Sequence, residues 1–489
     1  MRKQLLFAVL LLFVQTIAFS QYTTPGTGVN WTLDDLITNA PASVSLNGGI
    51  YTISQDITIA ATDALRIEAD NTTVYVNAGV LITVFGSLVT NAQNITITAT
   101  PANPQSYFQG IRLEDNSVGS FKNTTITYGG GIRVLTANFT MDNCTVSYHT
   151  DLISTSAAIS FSKGSPVVKN STFKFNKMPA LASGANQEVA ALIENNYLEW
   201  NSQSNGNRPQ INMGPGGNDT IRIIGNIVKG NPANTMVGGI AVAALLGNPS
   251  KVIIDNNTVF DNRYGITVAG TTSSGYIRGN ILYNNNTQNN PALGGSGISL
   301  SAAGVGMNII ASNNEIRGNL WGITLVTEGH INLGDGSDAS PGGNIFSDNG
   351  NGGVTYALYN NTTQAVSAMN NCWIEGTEPT PAQVEAVIYH QADDASKGLV
   401  NYTPYGCTLG TVDFAIAQPI LYPNPTNGVL NIETVKDGSV TIYSISGQLL
   451  RECMLTAGEN QLRLDLSQGV YILKSTIGNK SFYQKLIVN

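Results

Sequence analysis

Ten short Asn-rich units recur between residues 120 and 376, each built around one apolar residue: Ile126, Val146, Phe173, Leu198, Val228, Val259, Leu282, Ile316, Phe346 and Trp373. Successive centres stand 20 to 34 residues apart, the period at which supersecondary units stack into solenoids. No helical period accompanies them. The segments are short and rich in Ile, Val, Thr and Tyr, bounded by Gly and Asn, as in "GITV" (265–268), "GISL" (297–300) and "GITL" (322–325). Each unit therefore reads as strand, turn, strand, and a chain that repeats this winds rather than folding back.

Two asparagine columns flank the centres. Two residues before them stand Asn196, Asn226, Asn257, Asn280, Asn314, Asn344 and Asn371, and three residues after them stand Asn176, Asn201, Asn231, Asn262, Asn285, Asn319 and Asn349. Asn is a poor strand former and a good turn former. In coils stacked at about 4.8 Å, a residue at one offset lies above its counterpart in the next coil, so the amides are expected to bond along columns at the solenoid corners. A third column, Tyr128, Tyr148, Phe175 and Trp200, lies two residues after the centre. Strand alternation predicts it to point inward with the centres.

Ahead of Ile126, "YTISQDITI" (51–59), "LRIEA" (65–69), "TVYVNAGVLITVFG" (73–86) and "NITITAT" (94–100) supply earlier, less regular coils, and Trp31 with its surroundings is expected to cap the open end. The chain carries only 11% charged residues and a net charge of −8, with no basic run to serve as a nucleic-acid footprint. Its start, "MRKQLLFAVLLLFVQTIAFSQ", has the basic, apolar and small-residue regions of a secretory signal peptide over residues 1–20. No later apolar run is long enough for a transmembrane segment, so an exported protein is expected. Of the four cysteines, Cys372 and Cys407 are placed to pair or to stay free, whereas Cys144 and Cys453 read as buried thiols.

These features, together with the closing stretch "NNCWIEGTEPTPAQVEAVIYHQADDASKGLVNYTPYGC" (370–407), resemble the right-handed parallel β-helix proteins of the pectate-lyase-like superfamily. After Cys407 the repeat stops. "LYPNPTNGVLNIE" (421–433), "VTIYSISGQLL" (440–450) and "LDLSQGVYILKSTIGNKSFYQKLIVN" (464–489) resemble the type A C-terminal sorting domain of type IX secretion cargo, with Pro423, Asn424, Pro425, Gly428, Gly447, Gly469 and Tyr471 in its motifs. The expected chain is all-β: a signal peptide, a parallel β-helix with an N-terminal cap over 21–407, a linker over 408–419, and a small β-sandwich over 420–489. The resemblance implies the type IX secretion machinery of a Gram-negative bacterium as partner, and a secreted or cell-surface location.

Superfamily members cut or rearrange acidic polysaccharides, and the hydrolase branch carries Asn-Thr-Asp, Asp-Asp, Gly-His-Gly and Arg-Ile-Lys motifs on successive coils. Only Asp34-Asp35 and Asp393-Asp394 match any of these, and both lie outside the regular coils. His149, His330 and His390 stand alone and read as surface or turn residues. Asp261 and Asp348 share an offset three coils apart, about 14 Å at one strand spacing per coil, too far for a glycosidase pair, which needs about 5–9.5 Å. "GDGSDAS" (334–340) is rich in oxygen ligands but lacks the spacing of a recognised calcium site. No cofactor is expected, with calcium the alternative.

Residues on either side of each centre are expected to face solvent, among them Tyr197, Phe260 and Tyr283. Exposed aromatics suit the apolar faces of sugar rings, although Phe260 and Tyr283 are also placed to lie beneath the loop 286–296. The sequence thus points to a non-catalytic protein that binds glycan or another cell surface through these three side chains. The alternative is a polysaccharide lyase or glycoside hydrolase.

Overall fold

A computed structural model describes residues 21–100, 106–407, 418–434, 436–477 and 480–489; the signal-peptide stretch and residues 408–417 of the expected linker lie outside it. The chain winds as a right-handed parallel β-helix. One face is a 14-stranded sheet with one strand per coil, running in register from Tyr22–Thr23 through strands such as Ile266–Ala269 to Ile388–Tyr389. The other two faces are parallel stacks as well, apart from an antiparallel hairpin of Val44–Asn47 with Ile50–Ile53 at the start, and the early strands Ser87–Ala99 and Val118–Thr127 bend through the corner between them. The third face consists of three-residue strands centred on the repeat anchors, for example Thr258–Phe260 paired with Ile281–Tyr283.

All ten anchors point inward and are at most 1% exposed. They share a single core that runs from Trp31 to Val400. The helix Leu33–Asn39 closes the first coil, with Leu36 fully buried; its Thr32 and Asp35 form a capping box. Cys372 and Cys407 are joined in a disulfide at the far end.

The corners explain the asparagines. Each short strand is entered through an Asn or Gly three residues before its anchor, and all ten of these residues have positive φ, from 50° at Asn123 and Asn170 to 78° at Gly343. Asn and Gly tolerate that left-handed conformation. In the seven later units the next residue is an Asn that turns its amide inward. Asn257 Nδ2 donates to Asn280 Oδ1 at 2.9 Å and to the Ile223 carbonyl at 2.8 Å, while its own Oδ1 accepts from the Asn226 backbone N–H and Nδ2, both at 2.9 Å. The same amide-to-amide bond, 2.9 Å throughout, links 196, 226, 257, 280, 314, 344 and 371 without interruption. Each Asn side chain of the column thereby has both its donor and its acceptor paired. Cys144 holds the ladder position in its own coil, and burial pushes its thiol up to about 12. Cys453, expected to be buried, is half-buried.

The second corner departs from expectation at two places. Asn231 is not a rung: it is half-buried and accepts only from the Ala233 N–H, 3.0 Å away. Gln210, arriving from another offset, bridges Asn201 and Asn262 instead, at 3.0 and 3.1 Å. Further, Tyr128, Tyr148, Phe175 and Trp200 do not point inward. Each sits at φ between 54° and 57°, which breaks strand alternation and swings the ring out of the core. Outside it Tyr128, Tyr148 and Phe175 stack at 5.0 and 5.2 Å between centroids and Trp200 meets Phe175 edge-on at 5.7 Å, contacts that offset the cost of holding bulky residues left-handed.

Histidine placement also differs. His149 and His390 are buried, 2% and 3% exposed. The Gly131 N–H donates to His149 Nδ1 at 3.2 Å, so Nε2 carries the proton and donates to the Ile126 carbonyl at 3.0 Å. Burial lowers this imidazole to about 4. Because the unfolded chain takes up the proton near 6.5 and the folded chain only near 4, stability falls as pH drops through that window. Relative to a His149→Gln chain, the native protein is expected to lose on the order of 3 kcal/mol between pH 7 and 4 in denaturant titrations; parallel curves would show that His149 binds its proton equally well in the folded and unfolded states.

Residues 420–489 form two antiparallel sheets, of three strands (Ile420–Tyr422, Val429–Thr434, Gly458–Arg463) and four (Gly438–Ser444, Leu449–Leu455, Gly469–Ile477, Lys480–Val488). They enclose their own core around Leu430, Ile432, Ile442 and Leu473. This is the expected small β-sandwich. Asn424, between two prolines, donates to the Lys485 carbonyl and accepts from the Ile487 N–H, pinning the entry segment to the last strand.

Candidate functional site

The third face positions the sequence-derived candidates. Along the residues that follow each anchor run Lys174, Glu199, Lys229, Phe260, Tyr283 and Arg317, in register on adjacent strands. Alternating charges pair up the column: Lys174 Nζ to Glu199 Oε2 at 2.9 Å, and Glu199 Oε1 to Lys229 Nζ at 3.2 Å. Phe260 and Tyr283 then stack face to face, 4.8 Å apart and 5° from parallel. In the preceding column Tyr197 lies between Thr172 and Ile227. The structure thus brings Tyr197, Phe260 and Tyr283 onto one face.

That face is not open to solvent as the sequence suggested. Tyr197 is 4% and Phe260 5% exposed, and the covering element is the C-terminal sandwich. Tyr422 stacks on Tyr197 with centroids 4.0 Å apart and planes 7° from parallel. Lys174 Nζ lies over both rings, at 5.0 and 4.5 Å. Glu433 Oε1 lies 2.6 Å from Lys229 Nζ, and the Tyr197 hydroxyl donates to Glu433 Oε2 at 3.4 Å. Beyond these contacts the two parts border an open cleft of about 1050 Å³, lined by Tyr283, Arg317 and Asp348 on one side and Ile420, Asn424 and Tyr483 on the other. The loop 286–296 is engaged elsewhere: its Pro291 carbonyl accepts from Trp321 Nε1 at 3.0 Å, and the Gly295 N–H donates to the Arg263 carbonyl at 2.8 Å.

Two carboxyls of this face, Asp261 and Glu375, are raised by burial, and Glu375 is paired with Arg317. Burial raises Asp261 to about 6, with Glu433 adding repulsion and Lys229 opposing both. Asp255, by contrast, is held by Arg278 at 2.6 Å. The two Asp-Asp pairs serve local turns: Asp35 caps its helix and Asp393 accepts from the His390 N–H at 3.0 Å. In the 334–340 loop, Asp335 accepts from Ser337 and Asn332. Among the described residues no three His, Cys, Asp or Glu side chains are grouped to hold a metal ion.

A second aromatic group, absent from the sequence reading, lies on the 14-stranded face. Trp321 lies 4.7 Å from Tyr356 and 4.8 Å from Tyr359, and Tyr359 stacks on Tyr389 at 4.6 Å. Its signal was available: Trp321 and Tyr359 occupy neighbouring coils two residues before the inward Ile323 and one after the inward Leu358.

Two separate stretches of the chain match known families. Residues 420–489 match the family described as secretion system C-terminal sorting domain, and residues 217–380 match a protein family of unknown function, DUF1565. No curated protein matches the chain. Among solved structures, a variant of the periplasmic alginate epimerase AlgG is similar at 12% identity and a TM-score of 0.38, over 78% of this chain and 82% of that one. A second AlgG structure matches at 16% identity and a TM-score of 0.25, over 78% and 83%. The chain is a right-handed parallel β-helix protein. It ends in a type IX secretion sorting domain, which marks it for secretion, and among the described residues no helix is long and apolar enough to cross a membrane.

Proposed function

We propose that the secreted solenoid is a non-catalytic glycan-binding protein of the cell surface or medium, and that Tyr197, Phe260 and Tyr283 on the third face form its carbohydrate site. The observation that carries this reading is the juxtaposition of those rings with the Lys174, Glu199 and Lys229 column. Aromatic side chains offer apolar surface to the C–H faces of sugar rings, and the flanking ammonium and carboxylate groups bond to hydroxyls or charged substituents.

One observation favours the enzymatic alternative, a polysaccharide lyase or hydrolase. Asp261, raised to about 6, has the environment of an acid–base group. The carboxylate nearest it in influence, Glu433, belongs to the sorting domain and is absent from residues 21–410. The test is to incubate purified residues 21–410 with acidic and neutral polysaccharides, with and without calcium. The proposal expects retention on at least one polysaccharide with no new reducing ends and no unsaturated-uronate absorbance. Either product would replace binding by catalysis.

A further inference from the structure

The sorting domain meets the solenoid through the outward face of its three-stranded sheet. Register fixes which residues these are: Ile420 pairs with Glu433, and Tyr422 with Asn431, while the alternate residues Leu421, Leu430 and Ile432 fill the sandwich core. Ile420, Tyr422, Asn431 and Glu433 therefore share one face. Tyr422 and Glu433 are spent on the solenoid, one on Tyr197 and the other on Lys229 and the Tyr197 hydroxyl. A charged pair held at 2.6 Å between residues 204 positions apart is shielded by the stacked rings beside it and is stronger than a fully exposed pair.

The chemistry of this contact is informative. A flat ring lies flush on Tyr197 while a carboxylate beside it takes the Lys229 ammonium. A carboxylated sugar presents the same two groups, an apolar ring face and a carboxylate at its edge, within one residue.

We propose that the sorting domain is a built-in cover for the third face, in which Tyr422 and Glu433 occupy the places of the ring and carboxylate of an anionic saccharide, so that the site opens only when residues 420–489 are removed. This rests on the carbohydrate-site reading above and adds its regulation and the charge of its ligand. Before release, Tyr197 and Lys229 are satisfied within the chain and cannot engage polysaccharide on the way out. After release, Lys174 and Lys229 keep Glu199 between them, and Lys229 loses its second carboxylate. The side of the ammonium that Glu433 vacates and the bared Tyr197 face are what an incoming carboxylated sugar would take. The two parts have separate cores, so separation leaves each one packed.

The experiment uses the full chain with a protease site placed within 408–417, before and after cleavage and removal of the tail. Two quantities are measured: the rate at which an amine-reactive reagent labels Lys229, resolved by mass spectrometry, and retention on polygalacturonate beads against neutral dextran beads. Removal is expected to raise Lys229 labelling at least tenfold and to bring about retention on polygalacturonate but not dextran. A full chain carrying Glu433→Ala, a change on the outward sheet face, should show part of the labelling increase without cleavage. Unchanged labelling after removal would overturn the cover, whatever binds. Increased labelling with retention on dextran alone would overturn the anionic assignment, and increased labelling with no retention on either would overturn the carbohydrate reading while leaving the cover in place.

Discussion

Replacing Asn257 with Leu is expected to cost roughly 2–6 kcal/mol, although the two side chains are close in size. The amide is fully buried and sits in the middle of a column. Without it, the Asn226 backbone N–H loses its acceptor at 2.9 Å and the Ile223 carbonyl loses its donor at 2.8 Å, and each buried group left unpaired costs about 1–3 kcal/mol. Because coils contribute through nearest-neighbour interfaces, the loss should appear as faster hydrogen exchange in the strands Ile227–Lys229 and Ile281–Tyr283 as well as in Thr258–Phe260. Asn231→Leu is the internal control. Its amide accepts one exposed turn bond, so a change within about 0.5 kcal/mol is expected. Equal losses in the two variants, measured by denaturant titration, would mean that the ladder contributes nothing beyond ordinary turn preference.

That contrast also shows how far the sequence could be read. A solenoid converts repeat spacing into vertical adjacency, so the inward anchors and the first amide column were legible as fixed offsets. Asn231 obeyed the offset without joining the ladder, because Gln210 entered the column from outside the repeat and no spacing rule announces it. The outward turn of Tyr128, Tyr148, Phe175 and Trp200 was missed because alternation holds only within a strand, and these residues lie just past its end. A hint was present: the same offset holds Asp261, Asn284 and Asp348 in later coils, residues that do not belong in an apolar core. That Tyr197, Phe260 and Tyr283 share a face was legible from their offsets beside the anchors. Its cover was not, since Tyr422 and Glu433 reach it from a separately packed domain more than 200 residues away.

Deleting residues 420–489 is expected to abolish export almost completely while leaving the solenoid folded. The solenoid core between Trp31 and Val400 contains no residue of the sandwich, so its coils do not depend on that domain for burial. The sorting domain matches its family over 420–489, and the removal of an address should leave the chain behind the outer membrane, in the periplasm. Fractionation by immunoblot is the check: the native protein is expected at the surface or in the medium, and the truncated chain inside. Truncated chain outside the cell in normal amounts would refute the sorting role. The same pair of strains separates sorting from stability, because the periplasmic product should resist protease as well as the released one does.

The central functional claim is that the face of three-residue strands, not another aromatic surface, is where glycan binds. The most direct measurement is equilibrium binding of the released solenoid to whichever polysaccharide retains it, compared among Tyr197→Ala, Lys229→Ala, Trp321→Ala and Tyr359→Ala. Loss of a stacking ring or of a charge-assisted bond is worth about 1–3 kcal/mol, so the first two are predicted to weaken binding at least fivefold and the last two to leave it unchanged. Binding lost in the Trp321 and Tyr359 variants but retained in the Tyr197 and Lys229 variants would move the site to the 14-stranded face and contradict the account.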